Sequence, residues 1–216
     1  MKAYVLSLVL ALAVVAGPVA AGPFSDLVMS PGILAEVSAG PVFRYAHERR
    51  LPAHAAGEAR PGADRGLAMP KAVVGGALIV TAEPDGQGMN LVLTRDDGTD
   101  IHPVAAFPAK GPNPVLLFFL ENTMRVMAAE TGGSPFYFRN RIREALATAP
   151  LPTGDGTVVL HPFEGDKNQA RMGDLATLAL HFRIDPAMPG RLIELKADTA
   201  AGARGYTETL TLVPEE

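Results

Sequence analysis

The chain reads as an α+β protein: a curved antiparallel β-sheet or open barrel of about eight strands, with an inserted helical hairpin packed on it. Three observations predict this. Short apolar runs with strand periodicity occur on both sides of the middle of the chain; turns of only a few residues, rich in Gly, Pro and Asp, join them; and the middle alone switches to helical spacing between two proline-marked starts. Connections this short cannot join parallel neighbours, which need a crossover of a dozen residues or more. Nothing resembling a linker between independent cores occurs, so residues 22–216 are expected to form one domain.

Residues 1–21 read as a signal peptide. Met1-Lys2 is a short basic start, residues 3–16 are apolar apart from Ser7, Gly17-Pro18 ends the run, and Val19-Ala20-Ala21 offers small residues for cleavage near Ala21. The apolar stretch is shorter than the roughly 20 residues that cross a bilayer. The expected product is therefore periplasmic or extracellular, with no membrane span after cleavage. The chain contains no cysteine, which excludes disulfides, thiol redox chemistry and lipid attachment at a processed cysteine.

Residues 41–51 form the first strand, with Phe43, Tyr45 and His47 on one face and Arg44, Glu48 and Arg50 on the other. Residues 52–70 hold too little apolar surface to offset the entropy of ordering and read as a mobile loop. Strands follow at 71–82, 89–94 and 101–107, separated by the turns Pro84-Asp85-Gly86-Gln87-Gly88 and Asp96-Asp97-Gly98.

The helical hairpin is expected over 113–149. Asn113-Pro114 is a helix start, with asparagine capping free amides and proline where its missing N–H costs nothing. Gly132-Gly133 ends the first helix, Ser134-Pro135 opens the second, and Pro150 and Pro152 stop it. Residues 115–120 are apolar all round and call for cover on more than one side; Met124, Met127 and Ala128 then keep one stripe, with Glu121 and Arg125 paired outside. Strands return at 157–163, 174–184, 191–197 and 205–213.

A net charge of −4 gives no footprint for nucleic acid or for an anionic lipid surface. Catalytic and metal motifs are absent. Ser134 lacks the Gly-x-Ser-x-Gly elbow between strand and helix and is explained by capping. His47, His54, His102, His161 and His181 show no spacing that places two imidazoles on one face. Met124 and Met127 fit a core stripe better than a copper site, and the acids around Gly98 fit a hairpin turn better than a calcium loop. No catalytic residue, metal ligand or cofactor is assigned.

The densest basic cluster is Arg139, Arg141 and Arg143. Arg139 and Arg143 share a helix face and offer two guanidinium forks to a carboxylate or phosphate, while Phe136, Tyr137 and Phe138 supply an apolar floor. The candidate ligand-binding residues are accordingly Tyr137, Arg139, Arg143 and, facing the space beneath the hairpin, Phe118. A curved sheet under two helices is similar in layout to periplasmic carriers of lipid-modified proteins, a resemblance of architecture that transfers no residue. The expected function is an exported, non-catalytic protein binding a small amphipathic or lipid-like ligand between sheet and hairpin. The alternatives are a periplasmic hydrolase with a dispersed histidine and carboxylate, and an envelope scaffold or adaptor with an exposed edge strand.

Overall fold

A computed structural model describes residues 23–214 apart from 55–59, 64–65, 87, 99, 153, 186 and 189–190. The expected signal peptide, and part of the 52–70 loop, lie outside the described residues. Eight strands pair into one antiparallel sheet: β1 (Gly40–Arg50), β2 (Val73–Asp85), β3 (Gly88–Asp96), β4 (Ile101–Pro108), β5 (Thr157–Leu160), β6 (Ala179–Ile184), β7 (Leu192–Asp198) and β8 (Thr207–Leu212). Their order is β4-β3-β2-β1-β8-β7-β6-β5, so two four-stranded meanders meet back to back at β1 and β8. Tyr45 lies opposite Leu212 and Arg50 opposite Thr207 in this central pairing. The sheet stays open, with β4 and β5 as its edges.

The hairpin joins the two meanders. Helix α2 (Pro114–Thr131) follows the short α1 (Pro23–Met29), and α3 (Pro135–Thr148) returns from α2. Asn113 Oδ1 accepts from the amides of Val115 at 3.0 Å and Leu116 at 3.4 Å, and Gly132 ends α2 at φ 65° with its N–H on the Ala128 carbonyl. Ser134 makes no such bond with its side chain. The first turn of α3 tightens instead, and the Tyr137 amide donates to the Ser134 carbonyl at 3.0 Å. None of residues 113–120 is exposed, as an all-round apolar segment requires. Below α2, Phe119 and Phe182 meet edge to face at 6.1 Å, Phe24 tilts onto Phe182 at 5.4 Å, and Phe138 meets Phe163 at 5.7 Å. One continuous buried cluster fills the space between hairpin and sheet.

Two elements differ from expectation. The segment 174–184 starts as a 3-10 turn at Gly173–Thr177 after a one-turn helix, α4 (Gln169–Met172), so strand pairing begins only at Ala179. Strand β5 ends at Leu160 because Pro162 removes a donor and the chain turns, with Glu164 N–H on the His161 carbonyl.

The described parts of the 52–70 loop are tied to the end of α2. Gly62 N–H donates to the Ala129 carbonyl at 2.8 Å, one of the helix's last and otherwise unpaired acceptors. Glu130, its side chain 1 % exposed, sits 2.6 Å from His54 Nε2 and 3.5 Å from Arg60 Nη1.

Strand β4 manages its free edge through proline. The Ala109 amide donates to the Met89 carbonyl, so odd-numbered residues of β3 turn their main-chain groups towards β4. Residues of β4 opposite the even-numbered ones, namely Pro108, Ala106, Pro103 and Ile101, therefore point theirs outward. Two of those four lack an N–H, which blunts the edge against an added strand. No helix among the described residues is long and apolar enough to cross a membrane.

Candidate functional site

The four residues picked from sequence sit in separate surroundings. Phe118 is half-buried under α2, its ring edge-on to His47 at 5.7 Å. Tyr137 accepts from Asn168 Nδ2 at 3.1 Å and packs edge-on to Phe138. Arg139 stacks over Phe136 at 5.5 Å and reaches Glu121 at 3.4 Å. Arg143 is exposed, while Arg141 is held by Glu144 at 2.7 Å and Asp166 at 2.9 Å. None of Phe118, Tyr137, Arg139 and Arg143 lines the groove walled by Ile33, Val37 and Phe43.

That groove, about 950 Å³, lies at the end of the sheet where β1, β2 and β8 meet. Its apolar wall comes from Ile33, Val37, Phe43, Ile79, Met188 and Leu212. Residues 31–36 form a turn against the sheet end, closed by the Ala35 amide on the Gly32 carbonyl and fixed by the Gly32 amide on the Gly111 carbonyl. Buried Leu34 anchors this turn in the core, leaving Ile33 and Val37 half-buried at the groove. The β1 side is set by register: Arg44 lies opposite Ile79, and the Val213 amide donates to the Arg44 carbonyl at 2.8 Å.

Three charged side chains line the groove: Arg44, Arg191 and Glu36. Arg44 stands 3.9 Å from Asp96, and Arg191 stands 3.6 Å from Asp185. Both separations exceed a direct N–H···O bond. Buried in the core, Tyr45 donates to the Leu192 carbonyl at 2.8 Å; burial pushes its hydroxyl far above the ordinary tyrosine value, with the charge of Arg191 opposing.

A second constellation is sealed in the core at the β1–β8 seam. Glu208 Oε1 accepts from Arg49 Nη2 at 2.7 Å, pairs with His47 Nε2 at 2.9 Å and accepts from Asn122 Nδ2 at 3.1 Å. Its Oε2 accepts from the Tyr206 hydroxyl at 2.7 Å. Burial alone would raise the Glu208 pKa, yet the hydrogen bonds from His47 and Arg49, with the charge of Arg49, hold it below the usual glutamate value. Burial and the Glu208 charge push Tyr206 well above the ordinary tyrosine value. Nδ1 of His47 and Nε of Arg49 have no hydrogen-bond partner among the described residues. His47 and Glu208 have no accessible surface, so the pair has no opening to a substrate.

Histidine–carboxylate pairs also occur at His54 with Glu130, 2.6 Å apart where the loop meets α2, and at His102 with Asp97, 3.9 Å apart. His181 and Asp198 are 3.1 Å apart on the sheet, and Lys196 also holds Asp198 at 2.6 Å. Neither residue lines the groove. No three His, Cys, Asp or Glu side chains converge as metal ligands among the described residues.

The sequence groups His47 with Phe43 and Tyr45 on one strand face but does not single out Glu208 and Arg49. The available signal was charge at apolar parity: in Thr-Glu-Thr-Leu-Thr-Leu, Glu208 shares its face with Leu210 and Leu212, as Arg49 does with Tyr45. The groove carried no periodic signal, because its wall is a turn plus the ends of three strands. Comparison with known protein families, curated proteins and solved structures finds no match for this chain.

Proposed function

We propose that this is an exported, non-catalytic binding protein that takes a small amphipathic ligand, in the groove at the end of the sheet rather than beneath the hairpin. One observation carries the reading: a groove of about 950 Å³ with a mainly apolar wall and a few charged side chains. Its size sits within the ~300–1,000 Å³ of small-molecule sites, and its chemistry combines burial for a chain with contacts for a polar end. The space beneath the hairpin is filled by the buried side-chain cluster. Export rests on the basic start, apolar run and small-residue cleavage site of residues 1–21.

The test is calorimetric titration of the processed protein with short-chain amphiphiles below their micelle concentrations, beside native mass spectrometry of the protein as purified. Val37→Trp fills the groove from a half-buried position at the margin of the core. It is expected to abolish binding while leaving the circular dichroism spectrum unchanged. Failure of every amphiphile to bind, together with a bare protein mass, contradicts the proposal.

A further inference from the structure

The donors at the groove point to a more specific ligand. We infer that the groove selects an amphiphile with an anionic oxygen head group, a carboxylate or a phosphate, held by Arg44 and Arg191; this rests on the reading of the groove as a binding site.

The argument comes from how the arginines of this chain are used. Arg49, Arg95 and Arg141 each have a carboxylate oxygen at 2.7 Å, and Arg125 has one at 3.0 Å, so their forks are engaged. Arg44, Arg183 and Arg191 are held more loosely, at 3.9, 3.9 and 3.6 Å, and of these three Arg44 and Arg191 line the groove. Among the described residues the Arg191 side chain otherwise reaches only the Met188 sulfur, at 3.7 Å, a weak acceptor on the groove wall. Five N–H donors in a planar fork match a carboxylate or phosphate, and here they stand beside an apolar wall that lowers the local dielectric.

Glu36 also lines the groove, and Asp96 and Asp185 stand behind the arginines, so the region has no positive excess. Recognition therefore depends on direct donation from the forks to a seated head group rather than on a long-range field. A cationic head finds one carboxylate, Glu36, against the two guanidinium forks offered to an anion, and a neutral head leaves the donors facing water.

The experiment titrates three probes of equal chain length, dodecanoate, dodecyl phosphate and dodecyl maltoside, into wild type, Arg44→Gln, Arg191→Gln and Arg191→Lys. The expected result is anion binding at least tenfold tighter than maltoside, about the size of one charge-assisted hydrogen bond. Each Gln variant is expected to remove most of that advantage without changing maltoside affinity, and Arg191→Lys to retain part of it. The ratio of dodecanoate to dodecyl phosphate affinity tells which head group is preferred. Equal affinity for all three probes, or anion affinity unchanged in both Gln variants, overturns the inference while leaving the groove reading in place. Binding of none of the probes overturns both.

Discussion

Arg49 Nη2 donates to Glu208 Oε1 at 2.7 Å across the one strand pairing that joins the two halves of the sheet. Asn122 of α2 donates to the same oxygen, so a single buried carboxylate ties both meanders and the hairpin together. Glu208→Ala strands Arg49 and His47 without their acceptor in a dry interior. The expected cost is about 3–5 kcal/mol in urea unfolding, whereas joint replacement by Glu208→Leu and Arg49→Met recovers much of it. A single-variant loss below about 1 kcal/mol contradicts the role assigned to this carboxylate.

The same cluster sets the acid limit of stability. Glu208 has a folded pKa below its unfolded value of about 4.3, and Asp198, where burial is outweighed by Lys196 and His181, is likewise lowered. Groups depressed on folding stabilise fully above their unfolded pKa and lose that contribution as pH falls through the folded one. Tm is expected to be flat from about pH 7 to 5 and to fall below about pH 4.5. Glu208→Gln is expected to start lower and to fall less steeply; an unchanged slope refutes the assignment.

At high pH the sign reverses. Burial raises Tyr45 and Tyr206 above their unfolded value of about 10, so their contribution is present below that pH and is lost above it. Absorbance at 295 nm should show these two hydroxyls ionising only together with loss of the far-ultraviolet circular dichroism signal. Ionisation that precedes unfolding contradicts their burial.

Gly62 leaves no room for a side chain: a Cβ there would lie 2.4 Å from the Ala129 carbonyl oxygen. Gly62→Ala therefore pushes the loop off the end of α2 and removes the hydrogen bond to Ala129. The expected loss is about 1–3 kcal/mol, with faster proteolysis within 52–70 than in wild type. Wild-type stability and cleavage rate in this variant argue against the docking.

Pro103 and Pro108 withhold two of the outward donors of β4. Replacing both with valine restores a free strand edge, and light scattering after size exclusion should then detect association that wild type lacks at the same concentration. A variant no more associated than wild type removes edge protection as the role of these prolines.

How much was legible in the chain follows from which signals are local. Asn113-Pro114 and Gly132 announced the ends of α2 because capping chemistry is confined to a few adjacent residues. The meanders were readable from turn residues, but their joining through β1 and β8 was not, since residues 40–50 and 207–212 are far apart in sequence. Ser134 misled in part, because main-chain tightening replaced the expected side-chain cap. Helix α1 is not among the elements expected from sequence, although Phe24 and Val28, one helical turn apart, are both fully buried. The basic cluster around Arg139 and Arg143 was visible as composition, whereas the groove near Arg44 and Arg191 exists only once distant strand ends and a turn converge.

The most direct measurement is methyl NMR of isoleucine- and methionine-labelled protein titrated with dodecanoate. Ile33, Ile79 and Met188 line the groove, while Ile142 and Met127 lie in the core beneath the hairpin. Saturable shifts of the first three with the other two unmoved are the predicted result. Shifts centred on Ile142 and Met127, or no shifts at all, contradict the account.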